Sequence, residues 1–174
     1  MNTIQKLLLV LAIILLPAFS YAQACGLDVD ETDAFTNEHV RAGSNNVGAS
    51  AMHWKFALNQ KGSKYGWEMK IVYNKHLAEP IKKGDAILCK LDNGKIVKLI
   101  SDNDYSPSFV AYGDGVVITT ITPKGNMEEA DMKEFGGSPL SEMRATLSGK
   151  EIEPKISSKQ GEAMQRIAQC LLKK

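Results

Sequence analysis

"KLDNGKIVKLI", residues 90–100, reads as a strand, a tight turn at Asn93-Gly94 and a second strand. Apolar and polar residues alternate on both sides of the turn, the period of a half-buried antiparallel pair. Two registers compete. A two-residue loop pairs Asp92 with Lys95 and sets Cys89 opposite Lys98 on one face. A three-residue loop, a type I turn followed by a left-handed Gly94, pairs Leu91 with Lys95 instead. Then Ile87, Cys89, Leu91, Val97 and Leu99 share one face, while Lys90 and Lys98 share the other. A one-residue slip turns a whole strand over, so burial selects the register. The bulged pairing segregates charge from apolar groups and is the expected one, which makes the two lysines scaffold rather than a recognition motif.

The same period recurs upstream. "AMHWKFALN" places Met52, Trp54, Phe56 and Leu58 on one side, and "YGWEMKIVY" does so with Trp67, Met69, Ile71 and Tyr73. The two form a hairpin with aromatic cross-strand pairs, read as core rather than as a stacking platform. Further strands are expected at 86–91, 95–101, 109–112 and 116–122, the last two split by Gly113-Asp114-Gly115. Asn126 with Glu129 three residues later resembles a capping box for a short helix that ends near Phe135 at Gly136-Gly137. "SEMRATLSGKEIEPKIS" predicts a hairpin turning at Ser148-Gly149. Ser157 with Gln160 opens a last helix that carries Met164, Ile167, Ala168 and Leu171 on one stripe. About seven to eight strands, then helices without strict alternation, argue for an α+β fold. Its sheet is mainly antiparallel, with a short helix and a C-terminal helix packed on it.

The chain begins as an export signal. Lys6 is followed by ten apolar residues at 7–16, by Pro17, and by small residues at Ala18, Ser20, Ala22 and Ala24. Ten residues are too few to span a bilayer, and no later stretch is long enough either. Residues 1–22 therefore read as a signal peptide and the protein as exported to the periplasm, the outer membrane or the medium. Cleavage before Gln23 competes with cleavage before Cys25, which would present Cys25 for lipidation as a membrane anchor. Removing 1–22 takes one lysine and leaves 20 cationic against 20 anionic side chains. A near-neutral chain argues against a nucleic-acid partner, which requires a basic face. Residues 23–49, with acidic "DVDETD" and loop-like "AGSNNVGAS", are expected to form a flexible leader before a single domain at 50–174.

The three cysteines, Cys25, Cys89 and Cys170, are an odd number for an oxidising compartment. With Cys25 lipidated, a Cys89–Cys170 bridge would close a loop of about 80 residues, contributing about 4–5 kcal/mol in the chain-entropy model. Two separate buried thiols are the competing reading. The bulged hairpin register puts Cys89 on the core face, within reach of a covering last helix, and so favours the bridge.

The order of "DAFTNE", "WKFAL", "IKKGDAILCKLDNGKIVKL", the short helix, the late hairpin and the closing helix resembles a family of small exported proteins of unassigned activity. That family is met mostly in Bacteroidetes-type bacteria. The resemblance spans most of residues 33–172 and implies no catalytic residues; no cofactor is expected.

Nothing local carries chemistry. The three histidines, His39, His53 and His76, have no metal-ligand spacing. No Gly-x-Ser-x-Gly elbow occurs, and Ser106-Pro107 and Ser138-Pro139 read as turns. Asp28, Asp30 and Asp33 lack the glycine and terminal glutamate of a helix–loop–helix calcium loop and read as a solvated acidic leader. "YGDGV" has no helix after it and reads as a hairpin turn rather than a phosphate cradle. The expectation is a noncatalytic envelope or secreted binding domain with a protein or glycan partner. The alternatives are an envelope hydrolase whose site is dispersed in sequence and a small inhibitor or immunity-like protein. A pocket of converging groups would favour the enzyme, and an exposed apolar patch or an unpaired sheet edge would favour the binder.

Overall fold

The computed structural model describes residues 25–48, 52–76, 78–112 and 115–173. The expected export signal at 1–22 lies outside them. The order of elements is β1 (Val29–Thr32), β2 (His39–Val47), β3 (Met52–Lys61), β4 (Lys64–Tyr73), β5 (Ala86–Leu91), β6 (Ile96–Ile100), β7 (Ser108–Ala111), β8 (Val117–Ile121) and β9 (Lys124–Met127). Helix α1 (Glu129–Gly137), β10 (Leu140–Leu147), β11 (Lys150–Ile152) and helix α2 (Ser158–Leu172) follow. The fold is α+β. One sheet runs β1-β2-β3-β4-β8-β7 with β9 beside β4, and a second runs β11-β10-β5-β6.

The β5–β6 hairpin takes the bulged register. Leu91 N–H donates to the Lys95 carbonyl, Cys89 faces Val97, and Gly94 has φ +83°. Ile87, Cys89, Leu91, Val97 and Leu99 are all buried. On the solvent face Lys90 Nζ meets Glu142 Oε1 of β10 at 2.7 Å. The turn itself docks on the end of α1, with Asn93 N–H donating to Ser138 Oγ at 3.1 Å and Lys95 Nζ 2.6 Å from Glu134 Oε1.

In the larger sheet Trp54 pairs with Ile71, Phe56 with Met69 and Leu58 with Trp67. All six are buried, so Trp54, Phe56 and Trp67 are core as their spacing predicts, while Tyr73 is half-buried against it. The two sheets are closed on opposite sides. On one side β9 approaches β6, where Asp102 N–H donates to the Lys124 carbonyl at 3.1 Å and Gly125 lies against the Ile100 carbonyl with no room for a Cβ. On the other side α2 packs on β2, β3 and β10 and against α1. Its start is the expected capping box: Ser157 Oγ accepts from Gln160 N–H, and the Gln160 side chain accepts from Ser157 N–H. Met164, Ile167, Ala168 and Leu171 are buried along its stripe. The Ser148-Gly149 turn is also as expected, both residues being left-handed at φ +49° and +69°.

Several expectations are corrected. The described part of the expected flexible leader at 23–49, residues 25–48, is not a leader ahead of a domain beginning at residue 50 but supplies β1 and β2. Val40 to Val47 pair residue for residue with β3, and Val47 is core. The polar composition of β2 reflects its partners. Ser44 Oγ donates to Asp28, Asn45 Nδ2 donates to the Gln160 carbonyl, and a Cβ on Gly43 would come within 2.8 Å of Ile167. With β1, β2 and β9 added, the described residues hold eleven strands rather than seven to eight. Asn126 does not cap α1, because it sits in β9 opposite Gly66; the N-cap is Glu128, which makes no side-chain cap.

The cysteine pairing also differs. Cys25 bonds Cys170, and Cys89 is a free thiol buried in the core. Position 170 sits one step, about 100° of helix rotation, from Leu171 on the buried stripe. That turns Cys170 from the sheet carrying Cys89 toward the segment that enters β1. A sulfur engaged in this bridge has no bond left for a lipid thioether, so the bridged chain excludes lipidation at Cys25. Burial pushes the Cys89 thiol pKa far up, which keeps it protonated and unreactive. Nonreducing peptide mapping is expected to recover a Cys25–Cys170 pair, with Cys89 alkylated only in denaturant. A linked Cys89 peptide, or an acylated Cys25, would overturn this arrangement.

Helix α2 comes close to β10 at Gly161, where a Cβ would collide with the Leu140 carbonyl. In an exposed helix, replacing glycine by alanine stabilises by about 1 kcal/mol. Here Gly161→Ala is expected to destabilise by about 1–3 kcal/mol through overpacking, read from urea denaturation midpoints. A stabilised variant would refute the close approach.

Candidate functional site

The four outer strands of the two sheets differ in how they meet water. Strand β1 carries Asp30 and Glu31, β11 carries Lys150 and Glu151, and β6 carries Lys98 and is partly covered by β9. Charge on an edge strand discourages pairing with another chain. Strand β7 is the exception. Its sequence is Ser-Phe-Val-Ala and all four residues are exposed. Residues 106–122 contain a single charged side chain, Asp114, which lies outside the described residues.

The position of the hairpin explains its exposure. Strand β8 pairs with β4 only through Thr119, Thr120 and Ile121, ending opposite Tyr73. Beyond that point Val117 and Ile118 pair with β7 alone, so the described part of the hairpin extends past β4, with these two residues half-buried. Phe109 is 46% exposed, Val110 and Tyr112 are each 55%, and Val116 is 47%. Phe109 lies on the face of Thr119 and its ring stacks on His76 at 4.6 Å. Val110 and Tyr112 alternate to the other face.

The backbone completes the site. Tyr112 N–H donates to the Val116 carbonyl at 2.9 Å. Residues 108, 110 and 112 therefore bond inward to β8, and the amides and carbonyls of Phe109 and Ala111 point away from it. The approach to β7 is fixed. Ile81 and Tyr105 exchange backbone hydrogen bonds, and Tyr105 Oη donates to Asp102 Oδ1 at 2.6 Å. Thr119 Oγ1 donates to the Lys75 carbonyl at 2.6 Å, holding the segment that carries His76. An ordered edge with free amides, apolar flanks and no described charge is chemically suited to accept another strand.

The other residues singled out in the sequence do not converge. Asp28 accepts from Ser44. Asp30 binds His39 Nε2 at 2.7 Å and approaches Arg41 Nε at 3.6 Å. Asp33 accepts from the Phe35 and Thr36 amides, which hold its carboxyl below the usual carboxylate range. Each acidic side chain thus has its own local partner, and no group of three or more His, Cys, Asp or Glu among the described residues could hold a metal. His39 and His76 belong to opposite ends of the larger sheet, and only the backbone pairing of His53 with Val72 is described. The Tyr112–Val116 turn is a hairpin connection, as expected. No described helix is long and apolar enough to cross a membrane. Comparison with known proteins finds no matching family model, curated protein or solved structure.

Burial first, and then the Asp102 carboxylate, push the Tyr105 phenol up to about 12. The folded chain thus favours the neutral phenol. The stabilisation is complete below the ordinary value of 10.0 and is lost as pH rises toward about 12. Urea midpoints across that interval should fall more steeply for the wild-type chain than for Tyr105→Phe. Parallel curves would show that Tyr105 is not held in this way.

Proposed function

We propose that this chain is an exported, noncatalytic binding protein of the cell envelope or extracellular medium, which adds an extended strand of a partner protein to β7. The observation that supports the reading is the contrast between β7 and the other edges: it alone is exposed, apolar and free of described charge. Strand addition takes affinity from main-chain hydrogen bonds and specificity from alternate side-chain sites. Here the Phe109 and Ala111 amides and carbonyls supply the former, while Phe109 on one face and Val110 and Tyr112 on the other supply the latter. The partner strand is uncharged at the paired positions, because a charge placed there would lose water without finding a counter-charge. A peptide suits the site better than a glycan. Phe109 and Tyr112 face opposite ways and make no common stacking plane, and His76 already covers one side of Phe109.

The hydrolase reading has less behind it. His39 and Asp30 form a His–carboxylate pair at 2.7 Å, yet no described hydroxyl or thiol is hydrogen-bonded to that histidine.

Ala111→Pro separates strand addition from loss of fold. It removes one outward amide while leaving the β8 ladder intact, and proline is tolerated on an edge strand. Against a displayed library of extended peptides, the wild-type protein is expected to select uncharged, alternating sequences. Ala111→Pro, with an unchanged melting temperature, should select none of them. Equal selection by both proteins, or none by either, would sink the proposal.

A further inference from the structure

We infer that the tip of the β1–β2 hairpin is a second docking element, which inserts Phe35 into an apolar pocket, rimmed by basic residues, on another protein. Phe35 is 99% exposed, more than any other large apolar residue described. The loop that carries it is ordered. Asp33 Oδ1 accepts from Phe35 N–H at 2.8 Å and from Thr36 N–H at 2.9 Å. Asn37 N–H donates to the Asp33 carbonyl at 2.8 Å, and Asp33 N–H donates to the Glu38 carbonyl at 2.9 Å. Asn37 completes the reversal in the left-handed region at φ +55°. Its hydrogen bonds point inward and its aromatic ring points out. Isolated exposed apolar residues are ordinary on protein surfaces, so the case rests on a fully exposed ring carried by a loop whose backbone is closed by its own hydrogen bonds. Aromatic anchors of this kind dominate interface energies, and a preformed loop reduces the ordering cost of binding.

The surrounding charge identifies the partner. Residues 28–38 hold five carboxylates, Asp28, Asp30, Glu31, Asp33 and Glu38, and no lysine or arginine. Lys61 lies 3.2 Å from Glu38, and His39 and Arg41 attend Asp30. Glu31 and Asp33 form no ion pair among the described residues and give the base of the tip a negative field. Such a field repels anionic lipid headgroups and disfavours contact between two identical tips. It favours a pocket edged with Lys or Arg. The tip belongs to the β1 end of the seven-stranded sheet, opposite β7, so it is independent of strand addition there.

The test places a benzophenone photo-crosslinker at position 35 of the full chain in the cells that make it, with the same label at position 150 for comparison. The expected result is one protein adduct specific to position 35, mapped to an apolar pocket flanked by Lys or Arg. With that protein purified, Phe35→Ala should weaken binding at least about 30-fold without changing the melting temperature, since the ring is not packed. Glu31→Lys should weaken it several-fold, by an amount that shrinks at high salt. Ala111→Pro should leave the adduct unchanged. The inference is overturned by the absence of a specific adduct, by an adduct to lipid or to a second copy of this chain, or by a pocket without basic residues. It is equally overturned if Phe35→Ala leaves affinity unaltered, or if Ala111→Pro abolishes the adduct.

Discussion

The ten-residue ladder between β3 and β4 is the constraint on which the rest depends. It places Trp54, Phe56 and Leu58 opposite Ile71, Met69 and Trp67 on one face, and Lys55 opposite Lys70 on the other. A slip of one residue in β4 would turn Glu68 and Lys70 toward the core and push Trp67 and Met69 into water, so burial permits a single register. Every neighbouring element takes its place from this pair. Strand β2 reads its register from β3, while β8 and β9 divide the far side of β4 between its two ends. Because β9 occupies the Tyr65–Glu68 end, β8 can pair only with the Ile71–Tyr73 end, and the β7–β8 tip is carried past the sheet. The exposed edge is thus a geometric result of the way β4 is shared.

Much of the fold was legible because its signals are local. Strict alternation in β3, β4, β5 and β6 reports burial on one face directly. Ser157 and Gln160 announce α2, because a capping box is satisfied within four residues. Strand β2 was illegible for the opposite reason. "AGSNNV" has loop composition, yet its small and amide side chains suit the approach of α2, more than a hundred residues away in sequence. Strand β9 hid in the same way, since Gly125 is needed by a contact with Ile100 that no short window contains. The Cys25–Cys170 bridge is not legible, because cysteine positions do not state connectivity and because the loop-like composition after Cys25 conceals β1 and β2.

The candidate sites divide similarly. Residues 109–112 and 116–122 read as strands at once, but an apolar run looks the same whether a sheet covers it or not. Its neighbours decide its exposure, and they are set by pairing. A usable sign was present in the stretch at 106–122, where Asp114 is the single charged residue in a chain with 24% charged residues. Phe35 sits in "DAFTNE", whose Asp and Asn suggest a turn, but only its observed exposure shows which way the ring faces.

The position of the bridge has a consequence for how the chain matures. A polypeptide emerging amino end first offers Cys25, then Cys89, and Cys170 last of the three. The first thiol that Cys25 can meet is therefore the wrong one. Sequestering Cys89 early inside the β5–β6 and β10 layer removes that competitor before the correct partner exists. Hydrophobic burial of a thiol thus keeps a third sulfur away from a bridge whose two cysteines stand 145 residues apart.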